Sequence, residues 1–245
     1  MNLLGLGLVG LSALTLLVFS LVKRKSPPKL RAIPALTRLY RALGLSVEDG
    51  TRLLIGLGGE SLLTPSAGAP LAGLGMLRYL AERTSLSDRP PIAFAGESSL
   101  ALLSQDTLEA GYQAAGAGEF YQPTTGRLTG MTPFASAAGA MSILRDENVS
   151  ASVLVGHFGV EAALLDEAAE RENTFLLGSS DDLAAQAALY ASAQEALIGE
   201  ELFAAGAYLG AGASHAASLT VQDILRWIII AVLLAGAGLK FFGII

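Results

Sequence analysis

Apolar positions in this chain change their spacing several times, and each change marks an element. Two long apolar runs stand near its ends, at residues 3–22 and 224–239. Each approaches the ~20 residues a helix needs to cross a bilayer. Ser26-Pro27-Pro28 breaks the first of them. Residues 33–43 then place Ile33, Leu36, Leu39, Tyr40 and Leu43 at three- and four-residue intervals, an amphipathic helix that ends at Gly44.

Short apolar runs and longer helical stretches alternate from there. Residues 52–57, 92–95, 151–155 and 174–177 read as strands. Thr64-Pro65 opens a helix to Arg83, and Thr132-Pro133 repeats that cap-and-proline signal before one ending near Arg145. Glu97-Ser98 leads into a helix, 159–171 is another, Ser180-Asp181 caps a third, and 200–209 forms the last. Residues 116–130 read as a loop. Four short apolar strands separated by helices predict an α/β fold, a small and mainly parallel sheet flanked by helices. One transmembrane helix is expected at each end. The expected divisions are an N-terminal span at 1–24, a basic linker with the amphipathic helix at 25–48, a cytoplasmic domain at 49–217 and a C-terminal span at 218–245.

Charge gives the runs a direction. Half of the 16 Lys and Arg residues lie in the first 52 positions: Lys23, Arg24, Lys25, Lys29, Arg31, Arg38, Arg41 and Arg52. A basic cluster straight after the first run, with Arg226 at the start of the second, predicts a cytoplasmic domain with both termini outside a prokaryotic plasma membrane. A cleaved signal would carry a basic start and a small-residue cleavage site; Met1-Asn2 carries no side-chain charge, and Lys23-Arg24-Lys25 stands where cleavage would fall. The formal net charge of -6, with no basic patch past residue 52, excludes nucleic acid as an expected partner. Cysteine is absent, which excludes disulfides, thiolate metal sites and cysteine nucleophiles.

The candidate chemistry lies mostly at strand ends. Gly5-Leu6-Gly7-Leu8-Val9-Gly10 matches a dinucleotide fingerprint by letter, but within an apolar run it reads as a helix-packing surface. Gly58 and Gly59 follow the first strand, and Gly96 and Ser98 the second. Such turns offer backbone N–H groups to an anion, and they also occur for backbone reasons alone. Ser98 or Ser99 reads first as a helix cap. His157 and Glu161 follow the third strand, four apart, a spacing that suits an acid/base or metal pair if the helix begins early. No complete metal set, cofactor motif or catalytic constellation accompanies them. Glu200, Glu201, Gly206 and Gly210 lie in a stretch of small and apolar residues, where a small-xxx-small face suits contact between subunits.

Residues 197–209, His215-Ala216-Ala217-Ser218-Leu219 and Gln222-Asp223-Ile224-Leu225-Arg226-Trp227 carry a likeness, with Gly130-Met131-Thr132-Pro133-Phe134, Gly156-His157-Phe158-Gly159-Val160-Glu161 and Ala184-Ala185-Gln186-Ala187-Ala188-Leu189-Tyr190. Together these resemble an uncharacterised family of prokaryotic two-span membrane proteins, classed as a domain of unknown function. The resemblance implies two spans around one α/β domain and brings no activity, cofactor or catalytic residue. The expectation is a membrane-anchored, non-enzymatic protein whose cytoplasmic domain self-assembles, as a homo-oligomer, or docks a protein partner. The alternative is a tethered sensor or enzyme that takes a small anion or nucleotide at the strand-end glycine loops.

Overall fold

The most continuous short apolar runs become the two central strands of a sheet, as expected where helices cover both faces. In the computed structural model, which describes residues 7, 9–10, 12–15, 17–18, 31–64, 66–85, 87–210 and 213–241, these are β1 (Arg52–Gly58) and β4 (Val149–His157). They pair in parallel, with Leu53 opposite Ala151 and Ile55 opposite Val153. β2 (Ile92–Ala95) and β3 (Gly126–Leu128) extend the sheet on one side. β5 (Phe175–Ser180) and β6 (Glu195–Ala196) extend it on the other. The order is β3-β2-β1-β4-β5-β6, and every pairing is parallel.

Alternation along the strands sends side chains to two helical layers. Leu53, Ile55 and Leu57 pack with α1 (Pro34–Glu48), α2 (Gly68–Thr84), α3 (Ser98–Ala114) and α7 (Glu201–Tyr208). Leu54, Phe94 and Leu154 face α4 (Pro133–Asp146), α5 (Ala162–Arg171) and α6 (Leu183–Ser192). The sheet is therefore doubly wound: the chain builds outward from β1 to β3, crosses by α4, and builds outward again from β4. The strand order reverses between β1 and β4, and such a switch point opens a crevice at the carboxyl ends of the strands.

The compact unit runs from Ala32 to Leu209, which takes in the helix that the sequence placed outside the domain. Leu36, Leu39 and Leu43 of α1 are buried in the first layer. Burying one leucine contributes about 1.5–3 kcal/mol, so this stripe fastens α1 to the sheet.

Several local readings change. α2 starts at Gly68, beyond Thr64, whose hydroxyl donates to the Ser61 carbonyl at 2.8 Å and so belongs to a turn. The cap of α3 is neither Ser98 nor Ser99 but the Glu97 carboxylate, which accepts from the Leu100 amide at 2.9 Å. Asp182, not Ser180-Asp181, caps α6, accepting from the Ala185 amide at 2.9 Å. Thr132 caps α4 as expected. β3 and β6 are additional strands, very short and at the sheet's edges, where brevity limits open backbone pairing.

The second unit comprises the end segments Met1–Arg31 and Gly210–Ile245. α8 (Ala213–Phe241) contains the stretch Ser218–Phe241, 24 residues whose most apolar 18-residue window has a mean hydropathy of 2.0. At 1.5 Å per residue that is about 36 Å, enough to cross a ~30 Å hydrocarbon core. It is the one such helix among the described residues, where the sequence pattern led to an expectation of one at each end. The run at 3–22 falls largely outside the described residues; residues 7, 9–10, 12–15 and 17–18 of it are helical.

Candidate functional site

Because all six strands run the same way, every loop that leaves a strand reaches one edge of the sheet. That edge gathers most of the strand-end residues singled out in the sequence. Gly58 ends β1 at φ +80°, a conformation open to glycine, and a Cβ there would stand 2.2 Å from the His157 carbonyl oxygen. This contact sets the two central strand ends against each other. The Gly59 amide donates to the His157 carbonyl at 3.2 Å, and the Gly96 amide donates to the Gly58 carbonyl at 2.8 Å. A Cβ at Gly96 would meet the Gly59 Cα at 3.1 Å and the Ser136 Oγ at 3.2 Å, which brings the start of α4 to the same place.

His157 and Glu161 do not act as a helical pair. His157 is the last residue of β4, and α5 begins only at Ala162, so helical spacing does not apply between them. Instead His157 Nδ1 lies 2.7 Å from Asp181 Oδ1, and its Nε2 lies 3.8 Å from Glu60 Oε2. Two carboxylates, from the loops after β5 and β1, thus flank one imidazole, and the Asp181 contact alone is within hydrogen-bond distance. Glu60 also accepts from the Ser66 hydroxyl at 3.2 Å. Glu161 is buried and accepts from the Gly159 amide at 2.8 Å.

Ser98 is exposed on the first turn of α3 and is not among the residues that line the crevice. Beside it, burial alone would raise the Glu97 carboxyl. Hydrogen bonds from the Ser99 hydroxyl and the amides of Leu100, Ser99 and Ser98 outweigh that and hold it below the ordinary carboxylate range.

The crevice itself is narrow. Between Gly58, Ser136, Phe158 and Glu161 it holds about 10 Å³, room for about one water. Pockets for drug-sized ligands run to ~300–1,000 Å³. Charge adds a second constraint. The loops leaving the six strands carry Glu60, Glu97, Glu161, Asp181, Asp182 and Glu200, and neither lysine nor arginine. Caps explain part of this acidity, since carboxylates stabilise helix N-termini. The resulting field nonetheless opposes an anion at this edge.

Exposed apolar side chains share the edge. Leu63 after β1 is 96% exposed, Met131 after β3 78%, and Leu183 at the start of α6 81%. Phe134 and Val160 are exposed in the same set of loops and first turns. Larger cavities lie elsewhere: one of about 400 Å³ around Ser87, Tyr112 and Phe120, and one of about 320 Å³ between α4 and α5 at Met141 and Arg171.

The four residues proposed for subunit contact separate. Glu200 is the N-cap position of α7 and Glu201 lies in its first turn. Gly206 is buried within its own unit, and Gly210, at φ +89°, takes the left-handed position just past the helix. Sequence reasoning did not select Asp181 or Glu60. The Asp181-Asp182 pair after a strand was the available signal, since one aspartate suffices for the cap and leaves the other for chemistry.

Fold and site together define a doubly wound α/β domain with an acidic, apolar-studded switch-point edge, joined to a helix of membrane-crossing length. The chain belongs to the family described as a domain of unknown function (DUF6754), whose profile matches residues 2–245. No curated protein and no solved structure matches the chain.

Proposed function

We propose that this protein is a membrane-tethered docking module of a prokaryotic plasma membrane. In this reading α8 and the run at residues 3–22 both span, the domain is cytoplasmic, and both termini lie outside. The positions of Lys23, Arg24, Lys25 and Arg226 support that orientation. The work of the domain is to hold a protein at its carboxyl edge. One observation carries this reading: the fold exposes large apolar side chains at the edge where doubly wound proteins bind, beside a crevice too small for a ligand of that size.

A photo-crosslinking residue placed at Leu63, Met131 or Leu183 in cells tests it. Discrete protein adducts from these positions, and none from Tyr190 (exposed on α6), are the expected result. Equal labelling everywhere, or none at the edge, overturns the reading. A periplasmic reporter fused after Ile245 is expected to be active, and a silent one overturns the topology.

The His157–Asp181 contact favours a second reading, a tethered sensor or enzyme acting on a small molecule at the switch point. A histidine oriented through Nδ1 by a carboxylate is a usual general-base arrangement. An anionic or nucleotide ligand would have to overcome the surrounding carboxylates. A ligand copurifying with the protein in stoichiometric amount would move the balance to this reading.

A further inference from the structure

We infer that the carboxyl edge docks a cationic amphipathic protein segment, one that interleaves lysine or arginine with large apolar side chains. This rests on the docking reading above and adds the chemistry of the partner.

The inference combines two properties of the same loops. Leu63, Met131, Phe134, Val160 and Leu183 present apolar surface that the domain's own packing leaves exposed. Glu60 shares a loop with Leu63, and Asp181 and Asp182 directly precede Leu183; Glu97 and Glu200 stand in two other loops of the same edge, and the loops contain no lysine or arginine. Capping occupies particular oxygens without removing charge: Glu97 Oε2 accepts from Leu100, and Asp182 Oδ1 from Ala185. Complementary potential across an interface speeds encounter and penalises like-charged partners. An acidic or neutral apolar segment would desolvate these carboxylates while bringing no positive charge of its own, which is costly. Anionic lipid is disfavoured by the same sign of charge. Two copies meeting edge to edge would set the carboxylates of one against those of the other.

The full chain in zwitterionic nanodiscs, with empty nanodiscs as the blank, provides the test. The probe is a synthetic Lys/Leu amphipathic peptide, with its Glu/Leu counterpart as control. The Lys/Leu peptide is expected to bind, to weaken as salt is raised, and to lose about tenfold or more in affinity to the variant Leu63→Ser/Met131→Ser/Leu183→Ser. These three side chains are exposed, so the variant keeps its fold, which circular dichroism verifies. Glu60→Gln is expected to reduce affinity and flatten the salt dependence. Equal binding of the Glu/Leu peptide, or unchanged binding by the edge variants, overturns the inference. Edge crosslinks in cells without Lys/Leu binding leave docking standing and remove its cationic chemistry. Crosslinks joining the edges of two copies also overturn it, and absence of both signals removes the docking reading itself.

Discussion

Asp181 Oδ1 lies 2.7 Å from His157 Nδ1, tying the last residue of β4 to the first residue after β5. The contact crosses between adjacent parallel strands at the edge where their loops emerge. A proton on Nδ1 can be donated to the Asp181 carboxylate, an arrangement that favours Nδ1–H over Nε2–H in a neutral ring, while Nε2 lies 3.8 Å from Glu60 Oε2, beyond hydrogen-bond distance.

That arrangement predicts a measurable tautomer preference. In nitrogen-resolved NMR of the neutral ring, His157 should be mainly Nδ1–H in the native chain. Asp181→Ala should move it toward Nε2–H, the form favoured in free imidazole side chains. The loss of one partly exposed hydrogen bond should cost about 0.5–1.5 kcal/mol in stability. An unchanged tautomer would mean that the carboxylate does not orient the ring.

Gly58 and Gly59 are neighbours with opposite tolerance. A Cβ at Gly58 would lie 2.2 Å from a backbone oxygen at φ +80°, whereas the nearest atom to one at Gly59 is 3.8 Å away. Gly58→Ala should destabilise the domain by about 2–3 kcal/mol, from strain and displaced backbone together. Gly59→Ala should fall within about 0.5 kcal/mol of the native chain. Thermal unfolding of the two variants side by side checks this, and equal melting points would contradict the close approach of β1 to β4. A larger residue at Gly58 cannot serve as a probe of ligand binding, because it first breaks the fold.

The same contacts show what was legible in the chain and what was not. α1 is readable because Leu36, Leu39 and Leu43 repeat at helical spacing, and β1 and β4 because a strand covered on both faces is apolar throughout. β3 is three residues, Gly126 to Leu128, and β6 only two, Glu195 and Ala196. Their strand character comes from backbone partners far along the chain, Ala93 to Ala95 and Leu177 to Gly178, which no local pattern encodes. The glycines at 58 and 96 and His157 all lie at the carboxyl edge of the sheet. Asp181 was missed because either aspartate of the pair satisfies a capping pattern, and only the extended backbone of Asp182, φ -79° and ψ 130°, decides between them.

Glu97 gives a pH test of a helix cap. Its folded carboxyl sits below its ordinary value of 4.5, so the ionised form is favoured by folding. The stabilisation is present above the unfolded value and lost as pH falls through the folded one. Glu97→Ala should therefore lower the melting temperature at pH 7, by an amount matching the roughly 1 kcal/mol of a lost cap. The gap from the native chain should shrink as the solution is taken below pH 4.5. A gap that stays constant with pH would show that the cap does not depend on the ionised carboxylate.

Asp166 should behave in the opposite sense. It is buried on α5, and burial pushes its carboxyl above the ordinary 3.8; a hydrogen bond with Ser192 partly offsets this, and the charge of Glu170 adds to the rise. The folded state therefore binds the proton more tightly than the unfolded state, and ionisation of Asp166 opposes folding. The penalty is fully present above the folded value and absent below the unfolded one. Asp166→Asn keeps the shape and a hydrogen-bonding group without the charge. It should melt higher than the native chain at pH 7, with the advantage fading as pH falls through 3.8. If the variant instead melts lower at pH 7, the carboxylate is satisfied where it lies, and the burial of its charge is not the destabilising feature that its position on α5 implies.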